Sequence, residues 1–182
     1  MKSLLEGTRV RLRALEPEDL SIMYAIENDT TTWDVSNLNV PYSRHVLEQY
    51  ITNTQYDFYA DKQLRLMIER ISDSEVLGAV DFSDFEPLHS RAEVGIVLLE
   101  KYRGQGYASE ALRLLCEYAF DFLCLNQLTS HISTENKNSL LLFQSCGFVP
   151  CGTLKRWWNV GGDFQDVVLL QYLRPNRERN IK

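Results

Sequence analysis

The organisation of the chain is set by residues 92–108, which read AEVGIVLLEKYRGQGYA. Residues 92–99 are almost continuously apolar, as expected of a strand that is buried on both faces. Two glycines follow in the turn Arg103-Gly104-Gln105-Gly106-Tyr107-Ala108, and a helical pattern begins at its end. Glycines let backbone N–H groups approach a ligand closely, and the first turn of a helix leaves its N–H groups unpaired. This order therefore predicts a binding site for an anion such as a phosphate group.

Arg103 adds a positive charge beside the glycine turn, which suits an anionic ligand. Two other phosphate-binding motifs do not fit. The chain lacks the Gly-x-x-x-x-Gly-Lys-Ser/Thr of a P-loop, and no third glycine completes a dinucleotide fingerprint after Gly104 and Gly106. The alternative is purely structural: two glycines that form a turn and cap a helix.

Hydrophobic periodicity around the glycine turn predicts a meander of strands, one strand–helix–strand crossover and a final hairpin. This order indicates an α+β domain, with a mixed, mostly antiparallel sheet of about seven strands flanked by about four helices. Early helices are expected after Glu16 and Ser43. Strands are predicted at Thr8–Leu15, Leu64–Ile71, Val76–Phe85, Ala92–Leu99, Leu128–Ser133, Phe148–Trp158 and Phe164–Leu173, and later helices at about 108–123 and at Lys137–Ser145.

Charge is unevenly distributed along the chain, whose net charge is −6. Residues 16–100 carry 17 acidic and five basic side chains, whereas residues 101–182 carry seven acidic and ten basic ones. The acidic half argues against nucleic acid as a partner and suits a cationic acceptor, although a solvated acidic surface is the alternative. No apolar run reaches the roughly 18 residues of a membrane helix. Four cysteines without metal-type spacing fit a cytosolic protein.

The glycine turn and its surroundings resemble the GNAT superfamily of N-acetyltransferases. The family signature, Arg/Gln-x-x-Gly-x-Gly/Ala, is matched by Arg103, Gly106 and Ala108. Residues 92–96 before the turn, 109–112 after it, and the downstream segments 135–139 and 146–148 are also similar. The resemblance spans residues 8–173 and implies one N-acetyltransferase domain over residues 1–182.

The resemblance implies that acetyl-CoA is the acetyl donor and that the sheet splays open to admit it. The backbone of the glycine turn would bind the CoA pyrophosphate, and the strand before it would pair with the pantetheine arm. Asn136 would hydrogen-bond that arm, with a simple helix cap as the alternative. The implied donor-binding residues are Ile96, Val97, Leu98, Arg103, Gly104, Gln105, Gly106, Tyr107, Ala108 and Asn136.

Within the superfamily, the sequence is most similar to spermidine N-acetyltransferases and to ribosomal-protein N-terminal acetyltransferases. Residues 11–20 resemble the opening of both groups, and residues 78–85 resemble the polyamine enzymes, which place acids at Asp81 and Asp84. Asp34 matches a further acidic segment in part, but residues 35–40 are not acidic. The resemblance implies a small amine or a peptide N-terminus as acceptor, with a polyamine favoured. Exposed strands near the final hairpin would allow a homodimer.

Direct attack of an amine on a thioester requires the amine to lose a proton and the leaving thiolate to gain one. Asp84, Glu93 and Asp81 are the candidate carboxylates for the base or for an amine anchor, with a plain surface acid as the alternative for each. Strand alternation separates Asp81 from Asp84, so both face the slot only across a bulge. The three histidines form no cluster and are interpreted as structural or surface residues: His45, His89 and His131.

The usual acid of the family is a Tyr near the end of the helix that follows the Asn-containing segment, here Lys137–Ser145. The matching position in this sequence is Phe143. Phenylalanine cannot donate a proton. Three explanations stay open: water or another group protonates the thiolate, a tyrosine such as Tyr107 replaces it, or the protein is a catalytically silent acetyl-CoA-binding module.

Overall fold

A computed structural model describes residues 4–30, 40–53 and 57–175. Seven strands lie within these ranges: β1 Val10–Ala14, β2 Leu64–Arg70, β3 Val76–Glu86, β4 Arg91–Leu98, β5 Gln127–Ser133, β6 Val149–Val160 and β7 Asp163–Leu173. Five α-helices accompany them: α1 Leu20–Glu27, α2 Arg44–Asn53, α3 Phe58–Asp61, α4 Tyr107–Glu117 and α5 Lys137–Ser145. The strands form one sheet in the order β1-β2-β3-β4-β5-β7-β6, which confirms the predicted α+β architecture.

Two local features differ from the sequence prediction. The short helix α3 was not anticipated; it is capped by Asp57, whose Oδ1 accepts hydrogen bonds from the N–H groups of Tyr59 (2.8 Å) and Ala60 (3.3 Å). Helix α4 ends at Glu117, and its path continues as a π-helical turn over Tyr118–Phe122. Both features lie within or beside apolar segments, where periodicity alone does not distinguish helix types.

The sheet separates two hydrophobic layers. Met23 from α1 and Leu47 from α2 pack with Met67 and Ala79 on one face of the sheet. Helices α4 and α5 pack on the other face, where the larger core lies. Successive strand residues point to opposite faces, so the parity of a residue number on β3 or β4 decides which layer its side chain joins.

The sheet forks between β4 and β5, its only parallel pair in the described residues. These strands pair only at Arg91 with Gln127, Ala92 with Leu128, and Glu93 with Thr129. Beyond Glu93, residues 94–98 of β4 keep their β3 neighbour but lose β5. Residues 130–133 of β5 keep their β7 neighbour only. The strands therefore diverge and open a slot in the middle of the sheet.

Candidate active site

The glycine turn enters α4 in a conformation that only glycine adopts easily. Gly104 has φ +73° and Gly106, the N-cap of α4, has φ +81°. The first backbone hydrogen bond into the helix runs from the Glu110 N–H to the Gly106 carbonyl, at 3.3 Å. In the described part of the chain, the N–H groups of residues 104–109 donate no such bond. They form an open donor cluster at the positive end of the helix dipole, as an anion site requires.

Arg9 lies against this turn, a placement that sequence reasoning missed. Its Nη1 donates to the Gln105 carbonyl at 3.0 Å, its Nε meets Glu110 Oε2 at 3.1 Å, and its guanidinium stacks 4.9 Å from the Tyr107 ring centre. A Cβ built on Gly106 would lie 3.0 Å from Arg9 Nη2. Arg9 is therefore a cation immediately beside the donor cluster.

Arg103, the cation expected at the turn, forms a hydrogen bond to the protein backbone and not towards the donor cluster. Its Nε donates to the Leu98 carbonyl at 2.9 Å and ties the end of β4 to the turn. Glu110 likewise anchors the first helical turn, since its Oε1 accepts the N–H groups of Thr8 (2.6 Å) and Arg9 (2.8 Å). Burial works to raise the pKa of Glu110, but these backbone donors hold it below its usual value.

The slot between the diverging strands is a cavity of about 190 Å³, with residues of both β4 and β5 in its walls. Ile96 lines it, whereas Val97 packs towards the α1 layer and Leu98 is buried in the larger core. What this stretch offers the slot is therefore mainly its unpaired backbone. The lining residues are Ser83, Glu93, Val94, Gly95, Ile96, Ser130, His131, Ile132, Ser133, Asn136, Ser139, Phe143 and Trp158.

Asn136 lies where the slot meets the start of α5. Its Oδ1 accepts the Ser139 N–H at 3.1 Å, so it is the N-cap of the helix. Among the described residues, no group accepts a hydrogen bond from its Nδ2, and the side chain lines the slot. One amide can therefore cap the helix and still donate to a ligand.

The two aspartates singled out from the sequence lie outside the slot lining. Asp81 is paired with Arg65, with Nε to Oδ1 at 2.6 Å and Nη2 to Oδ2 at 3.3 Å. Asp84 is exposed at φ +46°, where the β3–β4 register shifts between Ser83 and Glu86. The expected bulge is therefore present, but neither carboxylate enters the cavity. Asp34 lies outside the described residues.

Asp81 nevertheless adjoins the slot through a glycine window. Gly95, which lines the slot, is its cross-strand partner, and a Cβ built on Gly95 would lie 4.0 Å from Asp81 Oδ2. Arg65 also pairs with Glu27 of α1, so one guanidinium serves two carboxylates. Burial works to lower the pKa of Arg65, but Asp81 and then Glu27 raise it well above its usual value. The trio carries one net negative charge.

Glu93, the third candidate carboxylate, lies at the fork itself. It is the last β4 residue that pairs with β5, and its Oε1 accepts the His131 backbone N–H at 3.2 Å. The same oxygen lies 2.9 Å from His131 Nδ1. Both side chains are about one quarter exposed and line the slot. The contact between His131 and Glu93 was not anticipated, because it depends on register across the fork, which the sequence does not show.

In the part of the chain that the structure describes, no tyrosine lines the slot. Phe143 is buried and its ring packs edge-on against Phe148, with 4.9 Å between centroids. Tyr107 does not line the slot. Hydrogen bonds from Arg70, at the end of β2, to Asp73 and then to the Tyr107 hydroxyl raise the pKa of Arg70. Tyr107 is therefore placed to support the loop and not to protonate a thiolate in the slot.

These features fit a CoA thioester. The turn is open at Gly104, where a Cβ would meet nothing within 4 Å, and Arg9 lies beside it at Gly106. The unpaired edge of β4 and the free Nδ2 of Asn136 provide polar groups further along the slot. A nucleotide thioester has a pyrophosphate that suits the glycine turn and an amide-containing arm that suits the polar groups along the slot.

The chain belongs to the GNAT acetyltransferases: the Acetyltransferase (GNAT) domain family matches residues 9–149. It is an N-acetyltransferase that takes its acetyl group from acetyl-CoA, as predicted. The Spermidine N(1)-acetyltransferase of Vibrio cholerae is 26% identical over 169 residues, 92% of this chain and 95% of that protein. The ribosomal-protein-serine acetyltransferase of Escherichia coli is 25% identical over 161 residues, 88% of this chain and 90% of that protein.

Solved structures agree with this assignment. The spermidine N-acetyltransferase of Vibrio cholerae in complex with CoA and spermine superposes with a TM-score of 0.82 at 26% identity, and the match covers 92% of this chain and 97% of that one. Within the described ranges, no helix is both long and apolar enough to cross a membrane.

Proposed function

We propose that this acetyltransferase transfers the acetyl group to a primary amine of a polyamine such as spermidine. The observation that carries the proposal is the net negative charge of Glu27, Arg65 and Asp81, which adjoins the slot at Gly95. We assign this part of the fork to the acceptor and call it the acceptor side. A polyamine keeps further ammonium groups after one amine enters the slot, so it needs a nearby anion that its reacting nitrogen does not use. Among the similar proteins are enzymes named for spermidine.

The trio around Arg65 is suited to be that anion. Arg65 and Glu27 are 18% and 8% exposed at their side chains, and Asp81 is 25% exposed. A pair of carboxylates with one cation retains unit negative charge, and partial burial reduces its screening by water and salt. We propose Asp81 as the acceptor anchor, with Asp84 at the outer rim. Asp34 lies outside the described residues, and its role toward the acceptor stays a prediction from the sequence.

On the donor side, the proposal assigns ligand contacts mainly to backbone. The unpaired N–H groups of the turn, in residues 104–109, bind the pyrophosphate, with Arg9 beside them. The β4 edge at residues 96–98, which has no β5 partner, pairs with the pantetheine arm, and Asn136 Nδ2 donates to that arm. When bound, acetyl-CoA supplies an activated acyl group whose leaving group is a thiolate. The residues of the chain hold that thioester at the fork, where Glu93 and His131 face it.

A peptide N-terminus is the second candidate acceptor, because one similar protein is a ribosomal-protein-serine acetyltransferase.

Two features outside the slot bear on the location and the assembly that we propose, a cytosolic homodimer. All four cysteines are free, which suits the reducing cytosol. The outer edge of β6 carries exposed Val149 and Trp157, which suits the proposed homodimer.

The acceptor is tested by free-thiol release from acetyl-CoA with spermidine, spermine, a simple monoamine, an aminoglycoside and short peptides. We expect the polyamines to give the highest kcat/KM. In Asp81→Asn the KM for spermidine should rise about tenfold, equivalent to 1.4 kcal/mol, with the monoamine KM nearly unchanged. Faster release with peptides, or an equal effect of the substitution on both amines, would contradict the polyamine assignment.

Asp73→Asn is the matched control for this experiment. It removes the same charge from the turn between β2 and β3, where Asp73 pairs with Arg70 and does not line the slot. Its spermidine KM should equal that of the unmodified protein. Calorimetric CoA binding by each variant shows whether the donor site is intact.

A further inference from the structure

We propose that His131, oriented by Glu93, carries the proton between the acceptor amine and the leaving thiolate. This inference rests on the proposed acetyl transfer, and it reverses the expected roles: Glu93 becomes a positioning residue and His131 becomes the catalytic residue. It also accounts for a GNAT site in which phenylalanine stands at the usual tyrosine position.

The geometry assigns the tautomer of His131. An ionised carboxylate only accepts hydrogen bonds, so the 2.9 Å contact with Glu93 Oε1 requires a hydrogen on Nδ1 of the ring. In the neutral imidazole the lone pair then lies on Nε2. Among the described residues, no group forms a hydrogen bond with Nε2, and the ring lines the slot. In the proposal, this unpaired Nε2 is the basic nitrogen that faces the slot.

Glu93 is held in place by the fork. Its Oε1 accepts both the backbone N–H and the ring Nδ1–H of His131. The backbone bond fastens the carboxylate to β5 at the point where β4 and β5 cease to pair, and the ring bond sets the imidazole orientation. A carboxylate that fixes the tautomer of a neighbouring imidazole is the arrangement found in hydrolase triads.

The groups around the pair favour one proton acceptor. The opposite residue of β7 is Leu169, which does not titrate, and β6 contributes Trp158 to the slot wall. From β3 the nearest wall residue is Ser83, while Asp81 is engaged by Arg65. Among the described slot-lining residues, His131 and Glu93 are therefore the only groups that titrate, and Glu93 Oε1 already accepts two hydrogen bonds.

The proton balance needs only one such group. The acceptor ammonium first releases one proton to water and becomes a neutral amine. Its nitrogen forms a bond to the acetyl carbon, and Nε2 of His131 takes the second proton from that nitrogen. The carbon–sulfur bond then breaks, and the imidazolium returns this proton to the sulfur, which leaves as a thiol. His131 ends the cycle neutral, so neither Phe143 nor Tyr107 has to donate.

The first test uses the ligand-free protein and is independent of activity. Nitrogen-15 NMR of labelled histidine, at a pH where the ring is neutral, should show the His131 proton on Nδ1 and not on Nε2. Glu93→Ala should remove this preference. A ring protonated on Nε2 in the unmodified protein would overturn the proposal, whatever the acceptor proves to be.

The second test separates proton transfer from positioning. Asn at position 131 places an amide N–H near the Nδ1 site but has no second, basic nitrogen, so it can hold Glu93 but cannot carry a proton. We expect His131→Asn to lower kcat by about 10²–10⁴-fold, the usual contribution of general acid–base catalysis. Calorimetric CoA affinity should stay within threefold. If His131→Asn keeps kcat within threefold of the unmodified enzyme, His131 is structural and the proposal fails.

His89→Asn is the matched control, since His89 is exposed and lies outside the slot. It should leave both kcat and CoA affinity unchanged. The two proposals also fail differently. If the enzyme acetylates peptides and not polyamines, the acceptor assignment is wrong. The NMR tautomer, and the kcat of His131→Asn with that peptide, would still test His131 as the proton carrier.

Discussion

The proposed donor side of the fork, which consists of the glycine turn and the β4 edge, and the proposed acceptor side, around Asp81 and Glu93, are built in different ways. On the donor side, the groups offered to the ligand are backbone N–H groups in residues 104–109 and the free edge of β4. On the acceptor side they are charged side chains, each held by a partner from another element, as Asp81 is by Arg65 and Glu93 by His131. The first side depends on local backbone conformation, and the second depends on which strands become neighbours.

This difference separates the effects of mutation. A residue on the donor side should affect acetyl-CoA binding and leave the choice of amine unchanged. A residue on the acceptor side should affect the amine and leave acetyl-CoA binding unchanged. Substitutions at glycines and at Asn136 can test whether the two sides are as independent as the fork suggests.

The largest expected effect is that of Gly106→Asp. At φ +81° a side chain is strained, and the new carboxylate would lie beside Arg9 Nη2 and repel a pyrophosphate. We expect calorimetric CoA affinity to fall more than about 100-fold, equivalent to 2.7 kcal/mol. An ion pair between the new Asp and Arg9 should help the fold to persist.

Gly162→Asp provides the control for this change. It introduces the same side chain at another positive-φ glycine, at the β6–β7 turn, where a Cβ meets nothing within 4 Å. Any general cost of aspartate in this backbone conformation should appear in both variants. Equal CoA affinity in the two would mean that the pyrophosphate does not bind at the turn.

The donor side was predictable because its determinants are adjacent in the sequence. The apolar strand, Gly104, Gly106 and the helix that follows occur within one short segment, and each conformational demand falls on a residue type suited to it. The mixed, mostly antiparallel sheet was predicted in the same way, from strand patterns and the single crossover. Local patterns could not reveal Arg9, because it lies 96 residues before Gln105 in the sequence and meets it only in the folded protein.

The acceptor side was only partly predictable for the same reason. Residue types drew attention to Asp81 and Glu93, but the partners of these two carboxylates are set by register. Arg65 lies opposite Asp81 in the β2–β3 pair, and His131 reaches Glu93 only across the fork. A carboxylate next to a cation differs chemically from a carboxylate next to an imidazole, and the sequence alone contains no sign of which will occur.

A smaller effect is expected for Gly95→Val, which fills the window between the slot and Asp81. The new Cβ would meet the Asp81 Cβ at 3.9 Å, an ordinary contact, and a β-branched residue suits a strand. We expect the spermidine KM to rise about tenfold, near 1.4 kcal/mol, while CoA affinity changes less than threefold. Steady-state kinetics and calorimetry measure the two quantities.

Gly152→Val in β6 is the corresponding control, because Gly152 is exposed and a Cβ there meets no atom within 4 Å, Asp81 included. It should match the unmodified enzyme in both measurements. If Gly95→Val weakens CoA and spermidine equally, the window belongs to both sides, and the division between donor and acceptor sides does not hold at Gly95.

The smallest expected effect concerns Asn136, where one side chain serves both the fold and the donor site. Serine can keep the cap that Ser139 N–H makes with Oδ1, but it lacks the Nδ2 donor; alanine lacks both. We expect Asn136→Ser to weaken CoA about fivefold, near 1 kcal/mol, with little change in thermal unfolding. Asn136→Ala should weaken CoA similarly and also lose about 1 kcal/mol of stability. Because the variants differ only in the cap, an Asn136→Ser protein with undiminished CoA affinity would leave Asn136 as a helix cap alone, and the donor side would then consist of backbone and Arg9.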